Sequence, residues 1–348
     1  MPGRSYTAAQ KVEAGLALDR LGVEFIQAGF AITGERDRTA IAELARQCDA
    51  DVVSLARAVP RDVEAALDAE ADVVEVFAPL SDQQLEHLVG NSREEMLDAM
   101  RETVDLVRDG GAKPHLILVD AFRTDTAHVA PAFGTFADVE YVGLADTVGA
   151  RTPHSVGRFL DDLAEAGVDL ERASVHFHDD VGVATANALV AAEKGVGKAD
   201  VSVASLGERA GNTALEELVV AGVVDYDDSF GVDERELIPV CRDVLNALGE
   251  DVDPRKSVLG SEVTEHESGI HTAAMLSDPS VMEPFDPATF GGQRTLLFGE
   301  KTGKGGARKL LGLADRSPTD ELVEALLSVL AERGPVEQEE AVALARDC

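Results

Sequence analysis

The sequence predicts an α/β fold built on seven parallel strands, and three observations predict it. Short β-rich runs alternate with amphipathic stretches from residue 23 to about 222, the pattern of repeated βα units around a parallel sheet. The chain opens on a helix with no strand before it. No Gly-x-Gly-x-x-Gly follows the first strand, which removes the strongest cue for a dinucleotide-binding open sheet. Two architectures share the pattern: a (β/α)8 barrel from which the first strand is absent, and a doubly wound open sheet of seven strands. Periodicity alone does not choose between them.

The opening helix begins at Thr7-Ala8-Ala9-Gln10, a capping box, and runs to about Leu21. Strands are expected at 23–30, 51–57, 72–79, 115–122, 141–148, 174–180 and 200–206, each followed by a helix. Ser92-Arg93-Glu94-Glu95 is a second capping box, Gly110-Gly111 a helix stop, and Thr152-Pro153 a helix start. After Asp225 the alternation stops. A helix over 233–248 leads into a stretch rich in glycine, proline and charge from 250 to 306, and two short amphipathic helices around Gly334-Pro335 occupy 320–346. The expected division is a catalytic barrel domain over 1–225 and linker and C-terminal helical subdomains over 226–348.

With 348 residues, 45% of them hydrophobic, the chain can bury a large core. It has no apolar run of about eighteen residues or more and no basic-then-apolar leader. Neither a membrane span nor a signal peptide is expected, and the expected location is cytoplasmic. Cys48, Cys241 and Cys348 are scattered and odd in number, which fits neither a disulfide framework nor a thiolate metal site. Acidic residues outnumber basic ones 65 to 31, for a formal charge of -34. Such a field repels nucleic acid and anionic membranes. With normal apolar content and regular patterning, it describes a folded protein with a densely carboxylated surface, a composition similar to that of proteins from salt-loving (halophilic) organisms.

His176 and His178 lie two apart in a predicted strand, so both side chains project from one face within reach of one cation. Two imidazoles make half a site, and carboxylate, amide or water oxygens would complete coordination of zinc, manganese or magnesium. Alone, the pair fits equally two barrel-lining histidines held by hydrogen bonds. The next strand ends in Gly207-Glu208-Arg209-Ala210-Gly211-Asn212, at the strand end where barrel enzymes place working groups. Alone, that cluster reads as a turn capped by Asn212 or Thr213. His266-Glu267-Ser268-Gly269-Ile270-His271, alone, reads as a loop turned by its glycine.

Together the blocks are specific. His176-Phe177-His178-Asp179-Asp180-Val181-Gly182 and Gly207-Glu208-Arg209-Ala210-Gly211-Asn212, with Leu144-Ala145-Asp146-Thr147-Val148-Gly149 before and His266-Glu267-Ser268-Gly269-Ile270-His271 after, resemble the isopropylmalate, homocitrate and citramalate synthase family over nearly the whole chain. The resemblance implies a TIM barrel followed by a small linker subdomain, a homodimer, and a divalent metal at the C-terminal mouth of the barrel. It implies that His176, His178 and Asn212 are metal ligands, that Thr147 contacts the carboxylate of a 2-oxo acid, and that His271, reaching in from the partner subunit, serves the acid/base steps. The implied reaction joins acetyl-CoA to the 2-oxo acid: the metal polarises the ketone, a base takes a proton from the acetyl methyl, and water releases CoA.

The sequence departs from the family in several places. Relatives begin with a strand ending in a segment like Leu-Arg-Asp-Gly-Glu-Gln, which supplies an arginine, a metal-ligand aspartate and a further acid. Nothing here matches it, and Met1-Pro2-Gly3 resembles the stretch just after it. The expectation is a start assigned at an internal methionine, since an open barrel would expose a strand edge. Val119 stands where relatives carry a glutamate, so that Asp120 or Glu208 would have to substitute in catalysis. Met282 stands where many carry tyrosine.

At the position where homocitrate-forming relatives often place an arginine, this chain has His115, followed by Leu116, Ile117 and Leu118. That favours an aliphatic 2-oxo acid over a dicarboxylic one. Arg123 and Arg151 can bind a carboxylate or CoA phosphate, or form surface ion pairs. No regulatory module is expected after Cys348. Two alternatives stay open: an acyl-CoA lyase on the same barrel, and a paralogue that binds metal and 2-oxo acid without turnover.

Overall fold

The computed structural model describes residues 3–348, which divide into two compact units. The first runs to Asp233 and takes up Val240–Asp251, and the second holds Glu234–Pro239 and Val252–Cys348.

In the first unit, α1 (Ala8–Leu21) starts on the Thr7 capping box with Gln10 and ends at Gly22, whose φ of 84° is left-handed. There follow β1 (Phe25–Gly29), α2 (Glu35–Ala45), β2 (Asp51–Arg57), α3 (Pro60–Asp68) and β3 (Val73–Pro79). A single turn, α4 (Asp82–Gln84), precedes α5 (Arg93–Asp109), β4 (Lys113–Val119), α6 (Thr126–Thr135) and β5 (Val142–Asp146). The unit continues through α7 (Pro153–Glu165), β6 (Ala173–Phe177), α8 (Ala184–Glu193), β7 (Lys198–Asp200) and α9 (Leu215–Ala221). The division into units falls within α10 (Leu237–Leu248). Capping boxes at Ser92 and Thr152 start α5 and α7.

The seven strands are all parallel and each pairs with its neighbour in sequence, in the order β1 to β7. That order removes the doubly wound alternative, which needs a point where strand order reverses. The sheet curls as a barrel does. Lys198 on β7 reaches Glu75 on β3 at 3.1 Å and lies 5.2 Å from the centre of the Phe25 ring on β1, although β1 and β7 are the two edges.

Period-two alternation sorts the side chains. Val74, Val76, Leu116, Leu118, Val142, Leu144, Val175 and Phe177 are buried in one large cluster with the helices, each contributing roughly 1.5–3 kcal/mol. The alternate residues, Glu75, His115, Ser174, His176, Lys198 and Asp200, therefore line the inner face.

The seventh strand lies earlier than its sequence suggests. Strand was expected over 200–206, but β7 ends at Asp200 and a 3-10 turn occupies Val203–Ser205. Ala204 and Ser205 have φ of 51° and 58°, a left-handed backbone that no strand contains.

The second unit contains β8 (Glu265–His266), α11 (Gly269–Met275), β9 (Thr295–Phe298), α12 (Lys304–Leu313), α13 (Asp320–Arg333), β10 (Val336–Glu337) and α14 (Gln338–Asp347). Its core includes Met275, Phe298, Leu310, Leu311, Leu326 and Leu330. It is mainly helical, with a three-stranded sheet in the order β10-β9-β8 that hydropathy had not disclosed. Among the described residues no helix is long and apolar enough to cross a membrane.

Candidate active site

The candidate site stands where β6 and β7 give way to their following loops. His176 is the fourth residue of β6, and its cross-strand partner on β7 is Asp200. The Nδ1 of His176 lies 3.1 Å from Asp200 Oδ2, and its Nε2 lies 3.1 Å from the Nδ2 of Asn212. With Nδ1–H donating to the carboxylate, Nε2 keeps its lone pair and accepts from the amide; the tautomer follows from this network.

His178 lies just past the end of β6, and it forms an antiparallel bridge with Asn212. The two imidazole centroids are 5.1 Å apart, so both rings remain on one side, as the spacing predicts. His178 Nδ1 is buried and has no hydrogen-bond partner.

The 207–212 turn does not cap a helix with Asn212 or Thr213. The N-cap position of α9 is Ala214, and the Asn212 amide turns instead to His176 and to the Phe177 carbonyl. Gly211, with φ 97°, makes this possible, because a Cβ there would collide with the Ser205 carbonyl oxygen. Glu208 is exposed on the same turn, where its carbonyl accepts from Gly211 N–H. Arg209 forms a forked pair with Asp180, both contacts at 2.8 Å, and donates to the Thr147 carbonyl at 2.8 Å.

The electrostatics separate the two histidines. Burial pushes the pKa of His176 down, but the hydrogen bond and charge of Asp200 outweigh it and leave the imidazole above its ordinary value. His178 is held below its ordinary value by burial, with the charges of His176 and Arg209 adding to that.

Thr147 follows β5, and its hydroxyl oxygen accepts from Asp120 N–H at 2.8 Å. Asp120, with φ 63°, is 1% exposed and receives Ser81 Oγ at 2.6 Å and the two arms of Arg123 at 2.7 Å each. Arg123 thus commits its fork to a buried carboxylate, and Asp120 has little free capacity left as a base. Val119 is half-buried at the end of β4. His115 is fully buried, edge-on to Phe25 and Tyr141, and burial followed by the Lys198 charge lowers its pKa to about 4. It is therefore a neutral wall of the barrel, with no charge to offer a distal carboxylate. Arg151 donates to the Phe122 carbonyl.

His271 belongs to the second unit, exposed on α11, its ring centroid 6.5 Å from that of His266. Met282 is 37% exposed there. The polar groups on the inner face of the sheet that sequence reasoning missed are Glu75, Lys198 and Asp200, with Gln27 exposed on the edge strand β1. A signal existed: Glu75 is a lone charge inside Val73-Val74-Glu75-Val76-Phe77, and Lys198-x-Asp200 repeats the spacing of His176-x-His178.

Among the described residues no group of three or more His, Cys, Asp or Glu is placed to hold a metal ion. Two imidazoles and one amide nonetheless converge. His176 is oriented by a carboxylate on its far nitrogen, as metal-bound histidines are, and His178 carries a buried ring nitrogen without a partner. These residues fit part of the sphere of a divalent cation, with oxygen ligands still to be supplied.

Residues 1–243 match the family described as HMGL-like, and residues 258–332 match the homocitrate synthase post-HMGL domain-like family. The homocitrate synthase AksA of Methanopyrus kandleri is 37% identical over 329 residues, which are 94% of this chain and 82% of the relative. A protein of the same organism named as an (R)-citramalate synthase is 37% identical over 339 residues, 96% of this chain and 67% of its own. One named as a 2-isopropylmalate synthase, again from that organism, is 34% identical over 336 residues, with coverage of 96% and 67%. In fold, the chain is similar to the crystal structure of hydroxymethylglutaryl-CoA lyase from Pseudomonas aeruginosa, with a TM-score of 0.63 at 23% identity over 72% of this chain and 89% of the other.

Proposed function

Because the chain belongs to the homocitrate, citramalate and isopropylmalate synthase family, with its HMGL-like domain over residues 1–243, we propose that it condenses acetyl-CoA with a 2-oxo acid. The observation that carries this reading is the convergence of His176, His178 and Asn212 at the C-terminal ends of β6 and β7, with Thr147 tied to the same loops through Arg209.

In this reading His176, His178 and Asn212 hold a divalent cation, which supplies Lewis acidity toward a keto oxygen. The Thr147 hydroxyl already accepts from Asp120 N–H, so its own proton is free to meet a substrate carboxylate. Arg209 and Asp180 hold the Thr147 loop and the 207–212 turn together. Arg123 acts on substrate through Asp120 and the Thr147 hydroxyl rather than by direct charge.

A base removes one proton from the acetyl methyl, and the new C–C bond joins that carbon to the keto carbon. The keto oxygen gains a proton, and water cleaves the thioester to free CoA and a carboxylate. His271 is the proposed acid/base group, contributed across a homodimer, with Glu208 as the further carboxylate at the mouth. The proposed location is the cytoplasm.

An aliphatic 2-oxo acid is the proposed partner of acetyl-CoA. His115 is buried and held neutral, and Leu116 and Leu118 pack away in the core. The test is CoA release from acetyl-CoA with pyruvate, 2-oxoisovalerate or 2-oxoglutarate, with added Mn²⁺, Mg²⁺ or Zn²⁺ at high salt. Release with pyruvate or 2-oxoisovalerate is expected, and release with 2-oxoglutarate alone would reverse the substrate assignment.

One specific observation favours a second reading, binding without turnover: Val119 is apolar and the Asp120 carboxylate is taken by Ser81 and Arg123. Cation binding with no CoA release from any of the three acids would select it.

A further inference from the structure

The inner face of the sheet carries a line of polar contacts that the proposed reaction does not use. Gln27 Nε2 on β1 donates to Glu75 Oε2 on β3 at 2.8 Å. The other oxygen of Glu75 lies 3.1 Å from Lys198 Nζ on β7. Lys198 Nζ lies 3.4 Å from Asp200 Oδ1, and Asp200 Oδ2 faces His176 Nδ1 at 3.1 Å. The side chains of Lys198 and Glu75 are 12% and 1% exposed. The rings of Phe25 and Tyr141 lie 5.2 and 5.9 Å from the ammonium and restrict where it can go.

We propose that Lys198 is a positioning residue for the cation site: held between Glu75 and Asp200, it fixes the Asp200 carboxylate on His176 Nδ1 and so presents the Nε2 lone pair to a divalent metal. The proposal rests on the reading of His176 as a metal ligand.

Two features distinguish this from simple neutralisation of a buried acid. The register sets Ser174 beside Lys198 and His176 beside Asp200, so lysine and histidine approach Asp200 along neighbouring strands. Each then takes a different oxygen of the one carboxylate, which settles its rotation as well as its charge. Without the ammonium, Asp200 Oδ1 would lose the partner that sets the rotation of the carboxylate, and a charged Glu75 nearby would add like-charge repulsion. Asp200 would then no longer be bound to a single orientation. A carboxylate that accepts from the far nitrogen of a metal-bound histidine is worth about 10- to 100-fold in metal affinity, and Lys198 governs such a carboxylate.

Lys198→Met alone would leave the buried Glu75 without a counter-charge, so the test uses Glu75→Gln/Lys198→Met, which removes both charges, beside Lys198→Arg. The His176 ring nitrogens are followed by ¹⁵N NMR in metal-free full-length protein, above the titration range of the imidazole. The Nδ1-protonated tautomer is expected in the wild type and in Lys198→Arg. A mixture of tautomers is expected in the double variant, together with Mn²⁺ affinity weaker by about 10-fold.

A folded double variant that keeps the wild-type His176 pattern overturns the proposal, whatever its Mn²⁺ affinity. Failure of the wild type to bind Mn²⁺ overturns instead the metal reading, which is measured in a separate sample.

Discussion

His178 and Asn212 are bridge partners: the residue after β6 and the last residue of the 207–212 turn pair their backbones, and Asp179 N–H donates to the Gly211 carbonyl at 2.8 Å beside them. Two loops that are distant in sequence thus share one piece of backbone pairing, which joins the segments that carry His178 and Asn212.

Replacing both His176 and His178 with alanine should reduce bound divalent metal from stoichiometric to background, as read by elemental analysis of the purified protein. Asn212→Ala should weaken metal binding less, by about 10-fold, since two nitrogen ligands remain. Metal content that survives the double histidine change would return both residues to an ordinary barrel lining.

Gly211 and Gly182 both have positive φ, 97° and 75°, but only at Gly211 would an added Cβ meet backbone, the Ser205 carbonyl; at Gly182 it meets nothing within 4 Å. Gly182→Ala should therefore cost about 1 kcal/mol of left-handed strain. Gly211→Ala should cost more, about 2–3 kcal/mol, and should displace Asn212. Urea midpoints compare the two stabilities, and calorimetric Mn²⁺ titration reads the displacement. Equal effects on metal affinity would mean that the turn does not place the ligand.

The buried His115 makes stability depend on pH in a defined window. Its folded-state pKa is about 4 against an ordinary 6.5, with burial the main cause and Lys198 adding. Between those values the unfolded chain takes up a proton that the folded chain refuses, so stability falls as pH falls from 6.5 to 4. The shift corresponds to about 3 kcal/mol, completed near pH 4. His115→Phe should flatten that part of the urea-midpoint profile relative to wild type. An unchanged slope would show that His115 is not the group responsible.

Arg123→Ala would leave the Asp120 carboxylate, 1% exposed, with only Ser81 on its side chain. Breaking a fully buried pair costs about 3–5 kcal/mol. Because the Arg123 side chain is 35% exposed, a loss nearer about 2 kcal/mol is expected. Arg123→Lys should lose part of that, since an ammonium cannot reproduce two parallel contacts. A loss below about 0.5 kcal/mol in thermal or urea unfolding would show that solvent satisfies Asp120.

Much of the barrel was legible in advance because its signals are local. Thr7 and Gln10, and Ser92 and Glu95, start helices through contacts three residues apart. The first six strands declare themselves as short β-rich runs between amphipathic stretches. The seventh misled because 200–206 continues an apolar alternation, while the decisive features are the left-handed backbone of Ala204 and Ser205 and the inward placement of Lys198. A strand that starts on a buried lysine has no hydropathy signature. It becomes intelligible only when Glu75, more than a hundred residues earlier, is seen against it.

The sequence by itself determined the number and order of the βα units, the shared face of His176 and His178, and the family to which the four blocks point. These depend on spacing within a strand or turn. The tertiary structure alone decided between a curled sheet and a doubly wound one, since that is a matter of which strands pair. It turned Asn212 from a helix cap into a neighbour of His176, committed Arg123 to Asp120, and buried His115 as a neutral ring. Each outcome depends on where a charge or an amide finds its partner once water is excluded, and a buried polar group takes whatever partner the curl of the sheet brings to it.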